Sequence, residues 1–405
     1  MSLPTANIID IGDDRMLGLC PDGRKIWLDG PAVPGDEVEF EDHGKTGEII
    51  RISTPASDRI SAPCPHFEVC PGCLLQPLPY ERQVALKEAK IVETLRRLGG
   101  FDGFDFAGVC PSSDPYGTRN KLDFTVRGGE LGYRIRKGLS PVETCPVGRP
   151  VLRDLILPLR EWLRAHPGHD LHRAMLRTGS DHRSVHLLFR GGLSPAEERD
   201  LLAWTEARPE IESVSIQADW KQPWRRLQGS GALCFDLAGE SHTVPHDAFF
   251  QVHDELADTL VRATLERARE ARPASLLDLF CGSGAFTLPA ARFCDTVLGL
   301  DSRPGKGPFQ KADLRRGLPN KVMERPWDLV LVDPPRAGME KRLVQQLRDR
   351  VRPRRLLYVS CNPATLARDL QRLCAKGDYT LNWVRGFDLF PQTSHVETLC
   401  EVVRV

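Results

Sequence analysis

The chain has no net charge and no long apolar run. Its 55 Lys and Arg are balanced by 55 Asp and Glu. No global field therefore draws in a polyanion, and any nucleic-acid surface has to be a local patch. No stretch approaches the ~18 consecutive apolar residues of a membrane-spanning helix, so no membrane span is expected. The opening residues MSLPTANIIDIGDDR lack a basic region followed by an apolar one. A secretory signal is thereby disfavoured, and a cytoplasmic protein, expected to be a monomer, is the working picture. Internal repeats and low-complexity tracts are also missing. What is present is ordinary for a globular protein: 41% apolar and 27% charged residues over 405 positions, a length that suggests two or three domains.

Cysteine is plentiful, at 12 residues. Disulfides are disfavoured in a reducing compartment, so clustered cysteines point to metal and isolated ones to core or catalysis. Cys64, Cys70 and Cys73 stand in APCPHFEVCPGC with the spacing C-x5-C-x2-C. Three thiolates so close can share one centre, and Cys145 in VETCPVGRP is the best fourth ligand. Zinc and a 4Fe–4S cluster are both compatible with that spacing.

Residues 1–55 alternate short β-like runs (NIIDIG, KIWLDG, DEVEFED, GEIIRIS) with glycine-punctuated turns, as a small antiparallel barrel or sheet would. The stretch AVPGDEVEF resembles part of a TRAM domain, an OB-like RNA-binding module, although Asp36, Glu37, Glu39, Glu41 and Asp42 make it acidic. Residues 56–240 read as a central, mixed α+β segment. After the Pro- and Cys-rich stretch, a helix is predicted over ERQVALKEAKIVETLRRLG, with Val84, Leu86, Ile91 and Leu95 near helical spacing and Gly99–Gly100 as its stop. Strands are predicted at KLDFTV, SVHLLFR and ESVSIQA. Within residues 119–137, Arg119, Lys121, Arg127, Arg134, Arg136 and Lys137 alternate with Phe124 and Tyr133, a pattern that suits phosphate contacts and base stacking. Residues 241–405 read as an α/β domain. SLLDLF, TVLGLD, DLVLVD and RLLYVS are near-continuous apolar strands of the kind that helices cover on both faces of a parallel sheet.

The chemistry concentrates at the ends of those strands. SLLDLFCGSGAF runs from a strand into Phe280, Gly282 and Gly284 and then a helix, so a ligand can approach the backbone there. Asp301 ends the next strand, placed to accept hydrogen bonds from ribose hydroxyls. Asp333 ends the strand before PPRAGM. Arg336 stands where enzymes that methylate planar nitrogen carry an aromatic residue, which argues against that reaction. Cys361 follows RLLYVS directly and precedes a helix whose N-terminal amides are expected to lower its pKa. Glu397 lies in the otherwise apolar VETLCEVVRV.

Together these residues closely resemble the RNA 5-methyluridine methyltransferases, which modify transfer RNA or large-subunit ribosomal RNA. The resemblance spans the chain and is most specific in CPHFEVCPGC with Cys145, AFFQVH, DLFCGSGAFTLP, LVDPPRAGM, YVSCNPATLARDL and FPQTSHVETL. It implies a class I (Rossmann-like) S-adenosylmethionine-dependent methyltransferase domain and a 4Fe–4S cluster on Cys64, Cys70, Cys73 and Cys145. It implies that Cys361 is the nucleophile and Glu397 the base. Gln251, Phe280, Gly282, Gly284, Asp301, Asp313 and Asp333 would line the cofactor and uracil pocket. The expected substrate is a single-stranded or flipped-out uridine in RNA, ribosomal RNA ahead of tRNA. RNA cytosine enzymes commonly carry a further cysteine after the corresponding proline. DPPRAG has none, which favours uracil. The alternative is an RNA-binding iron–sulfur protein with weak or lost methyl transfer.

Three departures stand out. Ala285 and His253 each replace an asparagine usual in the family. Only the 11 residues SRPGKGPFQKA separate Asp301 from Asp313. A strand–helix–strand crossover needs ~10–12 residues for its connection, usually more. A helix is therefore missing here, one flank of the adenosine pocket is expected to be open, and cofactor binding is expected to be loose.

Overall fold

Residues 3–12, 15–135, 138–304 and 307–405 are described, in a computed structural model of the chain. The first five strands are Thr5–Ile11, Met16–Leu19, Lys25–Asp29, Glu37–Asp42 and Thr46–Thr54. They close into a barrel because Thr5–Ile11 pairs with both Met16–Leu19 and Glu37–Asp42. Alternation puts Ile8, Met16, Ile26, Leu28, Val38 and Phe40 inside. The acidity of this segment is only partly a surface property. Asp36 is fully buried, accepts the N–H groups of Val33 and Ala56 at 2.9 Å each, and pairs with Arg59 at 2.5 Å. It is a turn-fixing residue that ties the barrel to the segment after it.

A seven-stranded sheet comes next, in the order Arg225–Gln228, Ile211–Gln217, Val185–Gly192, Asp170–Thr178, Lys121–Arg127, Glu130–Ile135, Gly138–Pro141. The three strands predicted for this region are all in it. Helix Ile156–Ala165 adds Leu159, Trp162 and Leu163 to its core.

The catalytic sheet has eight strands: Phe309–Lys311, Thr296–Asp301, Ser275–Leu279, Leu329–Val332, Arg355–Ser360, Glu397–Arg404, Tyr379–Phe387 and Asp105–Cys110. The four strands from Thr296–Asp301 through Arg355–Ser360 are parallel neighbours, and Glu397–Arg404 is inserted antiparallel. The chain leaves Ser275–Leu279 in one direction and returns on its other side. At such a reversal the carboxyl ends of the strands open a crevice. This is the doubly wound sheet that the resemblance implies.

Two strand pairings were not legible in the sequence, although the missing helix after Asp301 was. Strand Asp105–Cys110, from the segment read as central, pairs in parallel with Tyr379–Phe387. The helix before it, Tyr80–Gly99, packs on helix Pro363–Cys374. The second pairing lies in the short connection. Among its described residues there is no helix, and Phe309–Lys311 joins the sheet edge beside Gly299–Asp301.

Candidate active site

The glycine-rich turn is held open by backbone geometry. Phe280 has φ 64°, in the left-handed region, and its amide donates to Leu300 O at 2.9 Å. A bulky residue there costs on the order of 1–3 kcal/mol, and such strain clusters at ligand sites. Gly282 also has positive φ, 52°, and a side chain at its position would meet nothing within 4 Å. That open space is where a ligand can reach the backbone. Asp301 closes the turn from the neighbouring strand, since its Oδ2 accepts Gly282 N at 3.1 Å and its Oδ1 accepts Arg303 N at 2.8 Å. Asp313 caps the short turn Leu314–Arg316 and pairs with Arg315 at 2.9 Å, an interaction that lowers its pKa.

The flank expected to be open is partly filled. A methyl group on either Gly284 or Gly299 would come within 2.5 Å of the Phe309 ring. Two glycines thus make a slot for this one aromatic side chain. It lies against the glycine-rich turn on the side where the helix is missing. Phe309 was not singled out in the sequence, and its place after a Gly-Pro pair is the only signal that could have marked it.

The next two strand ends bring Asp333 and Cys361 together with Glu397. Asp333 follows Leu329–Val332, and its amide donates to Leu279 O at 3.2 Å. Cys361 follows Arg355–Ser360. Asn362 caps the helix after it, accepting Ala364 N at 3.0 Å and Thr365 N at 3.4 Å. Glu397 is 3% exposed. Burial, reinforced by Asp333, pushes its pKa up to about 8, and burial takes Asp333 to about 7. The Cys361 thiol is pushed up to about 12 by burial, with Glu397 and Asp333 adding to the rise and Arg336 opposing it. The lowered thiol pKa expected from the helix N-terminus is therefore corrected: desolvation and two acidic neighbours outweigh the amides. Asp278 belongs to the same set. It is fully buried, held near pKa 7 by burial, and accepts a hydrogen bond from Thr287 Oγ1 at 2.5 Å, while its Oδ1 has no partner.

Gln251 lies on the loop before helix Asp254–Glu270, where its carbonyl accepts Asn120 Nδ2 at 2.9 Å. His253, the departure from asparagine, is fully buried. Its Nδ1 accepts Leu256 N at 3.4 Å, and its Nε2 lies 2.7 Å from Ser112 Oγ.

The four clustered cysteines share one neighbourhood, since Cys145 acts electrostatically on Cys64, Cys70 and Cys73. Burial raises all three thiols, Cys70 to about 11 and Cys73 to about 12. Among the described residues, no three His, Cys, Asp or Glu side chains are arranged as they stand to hold a metal ion. Arg119 acts electrostatically on Cys70 and Cys73, and its Nε is buried without a partner.

The basic and aromatic pattern at 119–137 is dispersed by the fold. Phe124 is fully buried, and the Tyr133 hydroxyl lies 3.6 Å from Cys145 Sγ. Phe124 is thus a core residue unable to stack on a base, and Tyr133 is half-buried against the same core. Lys121 and Arg173 both pair with Asp123, at 3.5 and 2.5 Å. Arg127 and Arg134 are exposed, and Arg136 and Lys137 lie outside the described residues.

Comparison with known proteins agrees with this geometry. A family profile described as tRNA (uracil-5-)-methyltransferase matches residues 319–404. The 23S rRNA (uracil(1939)-C(5))-methyltransferase RlmD of Nitrosococcus oceani is 31% identical, with 93% of this chain and 91% of that protein covered. An uncharacterised RNA methyltransferase of Gloeobacter violaceus is 31% identical over 95% of this chain and 92% of that one. The crystal structure of the Pyrococcus abyssi tRNA (uracil-54, C5)-methyltransferase in complex with S-adenosyl-L-homocysteine superposes with a TM-score of 0.74 at 25% identity, covering 98% of this chain and 100% of that one. With a barrel, a central sheet and a doubly wound sheet carrying these motifs, the chain belongs to the family of S-adenosylmethionine-dependent RNA (uracil-C5) methyltransferases.

Proposed function

We propose that the protein methylates C5 of a uridine in ribosomal RNA through a covalent bond between Cys361 Sγ and uracil C6. The convergence of a thiol, a buried carboxyl and a strand-end aspartate supports this reading most directly: Glu397 and Asp333 both act electrostatically on Cys361, and Asp333 acts on Glu397. Phe280, Gly282, Gly284, Asp301 and Asp313 would hold the cofactor, with Gln251 and Asp333 towards the uracil. The open space at Gly282 and the strand-end carboxylate fit such a ligand. Bound S-adenosylmethionine supplies an electrophilic methyl group.

Uracil C5 is too weak a nucleophile to take that methyl unaided. The Cys361 thiolate adds to C6, which moves an electron pair towards C5 as an enolate. C5 then forms its bond to the methyl carbon as the methyl–sulfur bond breaks, its electron pair leaving with the sulfur as a neutral thioether. The Glu397 carboxylate removes the C5 proton, the C5–C6 double bond re-forms, and Cys361 Sγ leaves. One proton is released per methyl group transferred. The uridine has to be unpaired or flipped out for C6 to meet Sγ.

Ribosomal RNA is favoured over tRNA because the relative named for 23S rRNA is 31% identical, against 25% for the tRNA enzyme, each over nearly the whole chain. Mass mapping of RNA from cells lacking the gene should show a 5-methyluridine lost from large-subunit rRNA, and a loss confined to tRNA would reverse the assignment. The same reading places a 4Fe–4S cluster on Cys64, Cys70, Cys73 and Cys145. The shared neighbourhood of the thiols and the unpartnered guanidinium N–H of Arg119 beside them fit a group with anionic ligands. Bound there, the cluster would cross-link the loop at 64–73 to the loop at Cys145.

Denaturing electrophoresis with labelled RNA and methyl-labelled cofactor tests the mechanism. Cys361→Ala should give neither product nor adduct. Glu397→Gln should accumulate a slow band that carries both labels, because only the proton-removal step is lost. Uridine methylation by Cys361→Ala would overturn the mechanism.

A further inference from the structure

The segment that leads into Glu397 is an irregular loop, yet it is among the most buried parts of the molecule. Asp388, Gln392, Thr393 and Ser394 are all buried. One stripe of helix Tyr80–Gly99 accounts for this. The Tyr80 hydroxyl donates to Asp388 Oδ2 at 2.9 Å, and Lys87 Nζ donates to Asp388 Oδ1 at 2.5 Å. Gln83 Nε2 donates to Gln392 Oε1 at 3.0 Å, and Gln83 Oε1 accepts Gln392 N at 3.1 Å. Three alternate carbonyls of the loop are also engaged. Phe390 O accepts Lys87 Nζ at 3.1 Å, Gln392 O accepts Leu75 N at 3.0 Å, and Ser394 O accepts Lys90 Nζ at 3.1 Å.

Positions 80, 83, 87 and 90 share one helix face, so a single rigid element grips a loop about 300 residues away in sequence. The grip also enforces an unfavourable backbone, since Gln392 has φ 69°. A buried ion pair such as Lys87–Asp388 is poor at adding stability, because desolvation offsets the attraction, and its best-attested use is to specify one arrangement. The network does not stop at the loop. The Tyr80 hydroxyl accepts Ser112 N at 2.7 Å, and Ser112 Oγ lies 2.7 Å from His253 Nε2, two residues beyond Gln251. The two loops that flank the uracil site are thereby fixed to the same helix.

We propose that Tyr80, Gln83 and Lys87 are positioning residues that hold the Asp388–Val396 loop in the register from which Glu397 reaches the C5 proton. The proposal rests on the reading of Glu397 as the base. It assigns a step-specific role to a helix outside the strands that carry the chemistry. Among the described residues, Gln83 and Lys87 make no hydrogen bond with the Cys361 strand end or the glycine-rich turn, so loosening their hold lets addition and methyl transfer continue while proton removal slows.

The test uses full-length Gln83→Leu and the charge-free pair Lys87→Met/Asp388→Asn, two routes to the same loosening, with Glu397→Gln as control. Cofactor affinity by calorimetry should stay within about twofold of wild type, while kcat falls roughly 10–100-fold, since a misplacement of about 1 Å can cost about 100-fold. The doubly labelled adduct should accumulate, as in Glu397→Gln. A loop that is merely structural cement would lower the melting temperature and every step together, without adduct. If Glu397→Gln accumulates adduct and the positioning variants that fold do not, the inference fails alone. If Glu397→Gln itself accumulates none, the reading of Glu397 as base fails and takes the inference with it.

Discussion

Glu397 illustrates how catalysis and stability pull against each other at a single residue. Its carboxyl, normally near 4.5, protonates at about 8 in the folded protein. The unfolded chain ionises this group from about pH 4.5 upward, whereas the folded chain keeps it neutral until about pH 8. The stability tied to the neutral form is therefore fully present below about 4.5 and is lost as pH rises to about 8. Glu397→Gln, a neutral isostere, removes that loss. Cofactor-free Glu397→Gln should melt above wild type by scanning calorimetry, with a gap that widens from about pH 5 to about pH 8 and then levels off. A gap that narrows as pH rises would show that burial does not hold Glu397 neutral. Turnover should have the opposite sense. A base that is neutral in acid and acts after methyl transfer makes kcat rise with pH, and Asp333, near 7, shares the titration, so the apparent pKa values belong to the pair.

Among elements, the short connection after Asp301 carries the clearest consequence. Phe309 sits in the slot made by Gly284 and Gly299 and supports the glycine-rich turn where the helix is missing. Phe309→Ala should weaken S-adenosylmethionine binding by about tenfold or more, which is about 1.4 kcal/mol, measured by calorimetry without RNA. An unchanged dissociation constant would mean that the ring only fills space. The four parallel strands at the centre of the catalytic sheet were legible because they are near-continuous apolar runs, and their strand-end residues followed from the same pattern. The helix Tyr80–Gly99 was legible too, but its buried face was not. A search for apolar periodicity finds Ile91 and Leu95 and passes over Gln83 and Lys87, which are equally buried. Their partners, Gln392 and Asp388, lie about 300 residues away, and no local pattern reports such a pairing. Strand Asp105–Cys110 was missed for a similar reason: DFAGVC is short and only weakly alternating, and its partner strand is distant.

At the scale of the molecule, the cysteine neighbourhood and the loop before Glu397 are neighbours through Leu75, whose amide donates to Gln392 O. Anaerobically purified protein should be brown and carry about four irons per chain, as Cys₄ ligation of a 4Fe–4S cluster requires. Stoichiometric zinc without iron would refute the cluster. The barrel and the two large sheets are otherwise organised in chain order, with one exception. The edge strand Asp105–Cys110 belongs to a sheet whose other strands all come after residue 274.

That exception has a consequence during synthesis. The edge strand is made early, but its partner Tyr379–Phe387 emerges roughly 270 residues later. At about 5–20 residues per second, the wait is on the order of 15–55 s. Throughout that interval the nascent chain displays the inward stripe of Tyr80–Gly99 and an unpaired strand to everything near the ribosome. Holding factors that bind such surfaces should therefore act on this protein early and release it only once the final strand Glu397–Arg404 has been made.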